Sequence, residues 1–180
     1  EQNLIFADLL QRKQSIQTAM DHKTAFLLIC GGYQLFGQYY KDQDGNVIEG
    51  LKFFDYYTVA GNRDERCIGN IAVETTMDGK TFKAVGFENH GGQTKNVSTP
   101  FAKVLSGHGN EMHSGFEGFM NEQVLATYMH GPLLPKNPDI ADAILKRALK
   151  KRYGEVTLEP LDDTIEYQAQ NVMLERLQCK

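Results

Sequence analysis

Cys30 stands where an apolar run meets a glycine-rich run, in the stretch AFLLICGGYQLFG. The five apolar residues before it are typical of a strand buried on both faces, and Gly31 and Gly32 after it leave backbone N–H groups uncovered. A nucleophile between such a strand and a helix lies at the carboxyl edge of a sheet, where open α/β folds place active sites. We therefore expect Cys30 to be a thiol nucleophile whose pKa is lowered by the helix N-terminus, with the Gly31 N–H facing an oxyanion. The alternative is that Cys30 is a small buried apolar residue.

A thiol nucleophile needs a base, and the chain has five histidines. Among them, His130 closes the apolar run VLATYMH and is followed by a glycine, so a rigid strand end would hold it near the thiol. His108 and His113 share a glycine-rich loop with no cysteine nearby, and their spacing does not favour a metal site. His90 lies in GFENHGG, which reads either as a polar turn or as a cluster that orients substrate or His130. The sequence thus predicts His130 as the base.

Composition and charge argue against several classes of protein, among them nucleic-acid-binding and membrane-spanning proteins. With 180 residues, 41% of them hydrophobic, the chain is long enough for one domain, residues 1–180. A net charge of −4 argues against nucleic acid as the main partner. The longest apolar run is too short to span a membrane, and three cysteines without a CxxC pair fit a reducing compartment. We expect a cytoplasmic protein without a membrane span, and an N-terminally incomplete chain because it begins with Glu1.

Apolar periodicity predicts the elements around these residues. A helix is expected over residues 3–21, then the strand AFLLI, then a short helix that carries Leu35, Phe36, Tyr39 and Tyr40 on one side. The Asp-Gly pairs in KDQDGNVIEG and TTMDGKTFKAVGF predict hairpins, and we expect antiparallel strands across residues 53–106.

The last third of the chain is predicted to hold one strand and two helices. VLATYMH reads as a further strand. The segment PKNPDIADAILKRALKKRYG predicts a helix with Asn137 as N-cap, Pro138 in the first turn and Gly154 as stop. A final helix begins at DDTIE, where Asp163 and Glu166 have the spacing of a capping box.

ICGGYQLFG and YMHGP together resemble the class I, or triad-type, glutamine amidotransferases. Within that family, GFENHGG followed by YMHGPLLPKNP is similar to the branch related to cobyric acid synthases, and most closely to the glutaminase subunits of lipid II isoglutaminyl synthases. The resemblance implies an α/β fold of the flavodoxin-like type. It has a mostly parallel central sheet flanked by helices with antiparallel hairpin additions, and here it would lack its N-terminal βα units.

The resemblance also implies a reaction and the residues that perform it. Glutamine would be hydrolysed to glutamate and ammonia through a thioester on Cys30, with His130 as acid and base and the Gly31 N–H at the oxyanion. Gln34 would position the substrate. Arg66 or Arg63 in NRDERCIG would hold the substrate α-carboxylate through a guanidinium fork.

Partners and cofactors follow from the same resemblance. The ammonia would pass to a Mur-ligase-like synthetase subunit that binds the lipid II acceptor and amidates its D-glutamate. No cofactor is expected in this chain, whereas ATP and Mg²⁺ are expected in the partner. A cobyrinic or cobyric acid amidotransferase domain and a non-catalytic docking subunit of the same fold are the alternatives.

One departure concerns the third catalytic group. Many relatives carry a glutamate two residues after the base, and that position here is Pro132. A Cys-His-Glu triad therefore cannot be transferred to this chain. A Cys-His dyad, or a third group from elsewhere, is expected instead.

Overall fold

The computed structural model describes residues 2–62 and 64–179 and shows a mixed α/β architecture. The described helices are α1 Gln2–Gln11, α2 Lys13–Asp21, α3 Gly31–Phe36, α4 Leu133–Lys136, α5 Pro138–Tyr153 and α6 Thr164–Arg176. The described strands are β1 Phe26–Ile29, β2 Tyr39–Lys41, β3 Val47–Glu49, β4 Tyr57–Ala60, β5 Cys67–Met77, β6 Lys80–His90, β7 Gly92–Lys95, β8 Ala102–Ser106, β9 Phe116–Glu117, β10 Phe119–Met120, β11 Val124–Thr127 and β12 Met129–His130.

These strands form three sheets, with the orders β1-β11-β10, β12-β6-β5-β8-β9 and β3-β2-β4-β7. The α/β fold class is confirmed. Parallel pairing within the described ranges joins β1 to β11 and β2 to β4, and the remaining pairs are antiparallel. The parallel share of the sheets is thus smaller than expected, because the long β5–β6 hairpin and its neighbours contribute most of the pairing.

Strand β1 is the predicted buried strand, and it ends immediately before the cysteine. It pairs in parallel with β11, with Phe26 opposite Val124 and Ile29 opposite Thr127. Because the two strands run side by side in the same direction, their carboxyl ends meet at one edge of the sheet. The residues that follow them are therefore neighbours in space.

The first helical segment and the segment after Cys30 differ from the prediction. Residues 3–21 form two helices that break at Arg12. Helix α3 ends at Phe36, and Tyr39 and Tyr40 belong to strand β2. Gly37 follows α3, and only glycine fits there because a Cβ at that position would lie 2.5 Å from the Tyr56 carbonyl oxygen.

Both Asp-Gly pairs lie in hairpins, as predicted. β5 and β6 are joined by a two-residue turn in which Asp78 and Gly79 have φ of 51° and 80°. β2 and β3 are joined by the longer loop 42–46, in which the Asn46 N–H donates to the Asp42 carboxylate (2.8 Å). In the loop 42–46, the hydrogen bond from Asn46 to the Asp42 side chain stabilises a longer connection than the two-residue turn.

VLATYMH forms two strands that belong to different sheets. β11 ends at Thr127 and β12 begins at Met129, which pairs with β6. Between them, the Tyr128 N–H donates to the carboxylate of Glu117 (2.7 Å) instead of a neighbouring strand. That bond is the local reason why the run changes sheets.

The last two long helices begin and end close to the predicted positions. Asn137 and Gly154 flank α5, but the Asn137 side chain does not cap the helix. It binds both backbone groups of Val85, so it anchors α5 to strand β6. Asp163 precedes α6 without the capping-box bond, and the Thr164 N–H donates to Asp162 instead (3.2 Å).

Two large apolar clusters fill the interior. One lies between β5, β6, β11 and α5, and the other lies around α3 and β1 and contains the fully buried Tyr33, Tyr56 and Tyr128. Within residues 2–62 and 64–179, no helix is both long and apolar enough to cross a bilayer.

Candidate active site

Cys30 occupies a sharp turn between β1 and α3. Its backbone has φ of 50° and ψ of −104°, which lies outside the regions that L residues usually adopt, so the turn is strained. The Cys30 N–H donates to the Thr127 carbonyl at the end of β11 (2.9 Å), and its own carbonyl accepts from Gln34 N–H (3.0 Å). These two bonds hold the strained residue between strand and helix.

Cys30 opens into a cavity of about 460 Å³. Its lining residues come from the turn after β1 and helix α3, from β2 and the β2–β3 loop, from the end of β4 and the loop before β5, and from the ends of β6 and β7 that adjoin each other. They are Cys30, Gly31, Gln34, Tyr40, Asp42, Gln43, Asp44, Ala60, Arg66, Asn89, His90, Gly91 and Gly92. Three sequence-predicted substrate residues, Gly31, Gln34 and Arg66, thus share one cavity with the cysteine. The wall formed by Tyr40 and the loop 42–44 was not expected, since the Asp-Gly signal identifies a turn but not what the turn covers.

The pKa of the Cys30 thiol is raised, contrary to the expectation from its place at a helix N-terminus. Burial of the sulfur is the largest cause, and the negative charge of Glu117 adds to it. The Gly31 N–H and the Arg66 guanidinium lower the pKa, but they do not outweigh burial. Helix α3 has only six residues, so its dipole is weak. At neutral pH the resting cysteine is therefore a thiol.

His130 ends β12, three residues beyond the end of β11. Because β11 and β1 are parallel neighbours, His130 and Cys30 follow the carboxyl ends of adjacent strands. The imidazole is partly buried, its Nε2 has no hydrogen-bond partner among the described residues, and burial lowers its pKa. The imidazole is therefore neutral at pH 7 and can accept a proton.

Arg66 lines the same cavity as the nucleophile. Its Nη2 donates to Asn89 Oδ1 (2.8 Å). Burial raises the pKa values of both Cys30 and Tyr40, and the Arg66 charge partly opposes that rise. A guanidinium held in this way can pair with a carboxylate. Arg63, the other candidate for this role, lies outside the described residues.

Gln34 forms part of the cavity wall and is almost fully buried, with 4% of its surface exposed. Its amide nitrogen donates to the Tyr128 hydroxyl (3.2 Å), which also bonds Thr94 Oγ1 (2.5 Å). A Cβ at Gly92 would lie 2.6 Å from that amide nitrogen. The wall is therefore closely packed, and a substrate-positioning role for Gln34 stays a prediction.

The GFENHGG cluster supplies a second buried imidazole. His90 stacks on the Tyr128 ring at a centroid distance of 3.6 Å, and its Nδ1 bonds the Gly92 carbonyl (2.7 Å). A carbonyl only accepts, so Nδ1 carries the proton, and burial lowers the pKa of His90 to about 4. Its Nε2 lies 4.0 Å from Glu88, whose carboxylate accepts from two backbone N–H groups of the loop 108–109.

Glu117 is a buried carboxylate that sequence reasoning did not single out. It is fully inaccessible to solvent, and burial raises its pKa to about 7. Its Oε1 accepts from Thr127 Oγ1 (2.5 Å) and from the Tyr128 N–H (2.7 Å). The sequence around it, SGFEGF, offers no signal, because burial of the side chain depends on partners that lie elsewhere in the chain.

No group of three or more His, Cys, Asp or Glu side chains in the described ranges is arranged to hold a metal ion. The cavity thus combines a thiol, an N–H donor, a guanidinium and the His90 imidazole, whereas the His130 imidazole ends the neighbouring strand and is not among the residues that line the cavity. Such a set suits attack of sulfur on an amide.

Comparison with known families decides the classification. Residues 1–138 match the model of the CobB/CobQ-like glutamine amidotransferase domain. The chain belongs to this family of glutamine amidotransferases. The resemblance carried by ICGGYQLFG and YMHGP is thereby confirmed.

Three similar CobB/CobQ-like proteins illustrate the branch. The GatD subunit of lipid II isoglutaminyl synthase (glutamine-hydrolyzing) from Staphylococcus aureus (strain N315) is 36% identical over 98% of this chain and 70% of its own length. The corresponding subunit from Streptococcus pneumoniae (strain ATCC BAA-255 / R6) is 38% identical over 86% of this chain and 59% of its own length. A probable cobyric acid synthase from Methanocaldococcus jannaschii is 32% identical over 80% of this chain and 31% of its own length.

Proposed function

We propose that this CobB/CobQ-like chain is the glutaminase subunit of a lipid II isoglutaminyl synthase. The observation that carries the proposal is the cysteine on a strained strand–helix turn, which opens into a cavity shared with Arg66 and lies at the same sheet edge as His130. The similarity to GatD subunits supports the choice of branch.

In the proposed reaction, Cys30 and His130 are both uncharged before substrate is attacked. The pKa of the Cys30 thiol is raised and that of the His130 imidazole is lowered, so an ion pair does not form at rest. Proton transfer from sulfur to imidazole then accompanies attack on the substrate. The resting enzyme is in this way protected from reacting with other electrophiles, because the thiolate is the reactive form.

The cycle balances as glutamine plus water giving glutamate plus ammonia. The Cys30 sulfur bonds to the side-chain carbonyl carbon, and the Gly31 N–H faces the resulting oxyanion. His130 returns the proton to the departing nitrogen, which leaves as ammonia while a thioester remains. His130 then takes a proton from water, water attacks the thioester, and glutamate is released with the thiol restored.

Substrate recognition uses other residues that line the same cavity. Arg66, held by Asn89, would pair with the α-carboxylate of glutamine. Gln34 would contact the substrate from the wall beneath the nucleophile turn. Its bond to the Tyr128 hydroxyl fixes the position from which it would do so.

The ammonia is consumed by a second protein in this proposal. An ATP-dependent, Mur-ligase-like synthetase subunit would bind Mg²⁺ and lipid II, and would amidate the D-glutamate of the stem peptide. No cofactor is proposed for this chain. Because the partner would use ATP, we propose a cytoplasmic location for the pair, and the two subunits would form a heterodimer.

The test uses the full-length chain copurified with its synthetase subunit. Cys30→Ser should abolish glutamate release and glutamine-dependent amidation of lipid II, while ammonium chloride restores amidation, because the nucleophile is needed only to release ammonia. Cys179→Ser, a half-buried cysteine far along the chain, is the matched control and should leave both activities intact.

Two results would contradict the proposal. Undiminished glutamine-dependent amidation in Cys30→Ser would remove the nucleophile from the reaction. Amidation of a corrinoid carboxylate but not of lipid II by the wild-type complex would assign the chain to cobyric acid synthesis instead.

A further inference from the structure

Thr127 contacts both halves of the candidate catalytic pair. Its backbone carbonyl accepts from the Cys30 N–H (2.9 Å), which fixes the nucleophile turn. Its hydroxyl accepts from the N–H of Met129 (3.0 Å), the residue directly before His130. One residue therefore ties the backbone of the nucleophile to the strand that carries the base.

The Thr127 hydroxyl is itself held by Glu117. It donates to Glu117 Oε1 (2.5 Å), so its own oxygen lone pairs point away from the carboxylate and toward the Met129 N–H. The same carboxylate oxygen accepts from the Tyr128 N–H (2.7 Å). Glu117 thus replaces the strand-to-strand bonds that β11 and β12 lose where the chain changes sheets.

Tyr128, in the middle of this connection, is also tied to the nucleophile helix. Its hydroxyl accepts from Gln34, and the Gln34 N–H donates to the Cys30 carbonyl. The Tyr128 side chain is fully buried. A shift of the connection would therefore be transmitted to both ends of the pair.

We infer that Glu117 and the Thr127 hydroxyl are positioning residues, which form a joint that sets the place of the His130 imidazole relative to the Cys30 sulfur. This inference rests on the proposed glutaminase reaction. The joint holds by hydrogen bonds, so it needs an acceptor at residue 117 and a hydroxyl at residue 127. The residue two positions after the base is Pro132, which has no carboxylate to align the imidazole. The joint provides that alignment instead.

The test compares variants that differ only in the groups of the joint, in the full-length chain with its synthetase subunit. Thr127→Val keeps the shape of the side chain and removes the hydroxyl, whereas Thr127→Ser keeps the hydroxyl. Glu117→Met removes the acceptor, whereas Glu117→Gln keeps one. Glutamate release is measured against pH for each, and rates are divided by the folded fraction from circular dichroism.

Thr127→Val and Glu117→Met should lower kcat per folded molecule by about 10- to 100-fold, with KM changed less than about threefold. This loss is smaller than the roughly 10²- to 10⁴-fold expected for removal of a general acid–base, because the imidazole is misplaced and not removed. Thr127→Ser and Glu117→Gln should retain most of kcat.

Because burial lowers the pKa of His130, an imidazole released from its place should move the acid limb of kcat/KM upward in each disruptive variant relative to its conservative partner. The comparison is made within each pair because both Glu117 variants lack the Glu117 carboxyl, which itself has a pKa of about 7. His90 on β6, another titratable imidazole close to this site, whose pKa is lowered mainly by burial, is unchanged in all four.

Three results would overturn the inference. Thr127→Val and Thr127→Ser could give the same kcat per folded molecule. The disruptive variants could lose activity only in proportion to their folded fraction, or their acid limb could coincide with that of their conservative partners. Absence of glutamate release from the wild-type complex would instead refute the proposed function, and ammonia-dependent amidation in that complex tells the two failures apart.

Discussion

His90 and Glu117 should give opposite contributions to the pH dependence of folding. The folded chain holds the pKa of His90 at about 4, against 6.5 ordinarily, and that of Glu117 at about 7, against 4.5. Burial is the main cause of both shifts, because it disfavours the charged form of each group. Each shift corresponds to about 3 kcal/mol in the free energy of unfolding.

The signs follow from which state binds the proton. Between pH 4 and 6.5 the unfolded chain protonates His90 and the folded chain does not, so this group makes the protein more stable as pH rises. Between pH 4.5 and 7 the folded chain keeps the proton of Glu117 and the unfolded chain loses it, so this group makes the protein less stable as pH rises. In the wild type the two contributions largely cancel.

Single substitutions should reveal how each group contributes to the change of unfolding free energy with pH. Relative to the wild type, the free energy of unfolding of His90→Gln should fall by about 3 kcal/mol between pH 4 and 6.5, the range in which the His90 contribution is lost. The free energy of unfolding of Glu117→Gln should rise by about 3 kcal/mol between pH 4.5 and 7, again relative to the wild type, because the Glu117 contribution is lost. Glu88, the charged neighbour of His90, is present in all of these proteins.

Urea unfolding followed by far-UV circular dichroism, at half-unit intervals from pH 4 to 8, measures these slopes. The chain has no tryptophan, so fluorescence is a weaker probe. His22→Gln, which removes an exposed imidazole, is the control and should follow the wild type. Variant curves that run parallel to the wild type, or that slope in the same direction as each other, would refute the reasoning.

Two further predictions concern the cavity. Arg66→Ala should slow iodoacetamide alkylation of Cys30 at pH 8, because the Arg66 charge opposes the rise in the pKa of that thiol. Cys67, whose pKa burial raises to about 11, is the internal control in the mass spectrum. An unchanged rate of Cys30 alkylation would contradict the prediction. Gly92→Ala should lower the free energy of unfolding by about 1–3 kcal/mol through overpacking, since its Cβ would lie 2.6 Å from the Gln34 amide nitrogen. Urea unfolding of Gly31→Ala, where an added Cβ meets no heavy atom within 4 Å, is the comparison, and an equal effect at both glycines would count against the argument.

The sequence by itself determined the strand before Cys30, the two-residue turn of the β5–β6 hairpin and the bounds of helix α5. These depend on local signals: a run of apolar residues, an Asp-Gly pair that tolerates positive φ, and a proline and a glycine at the ends of a helix. It also pointed to Cys30 and His130, because both stand at the end of an apolar run and are followed by glycine. The motifs around them identified the family.

Only the tertiary structure decided the protonation state of the Cys30 thiol and the hydrogen bonds of Glu117 to Thr127 and Tyr128. A helix N-terminus in the sequence argues for a lowered thiol pKa, but burial of the sulfur and the nearby Glu117 reverse the direction. VLATYMH reads as one strand, and it changes sheets because a carboxylate ten residues away in sequence binds Thr127 and Tyr128. Desolvation and contacts between separate segments exist only after the chain has folded, so no local pattern in the sequence could have specified them.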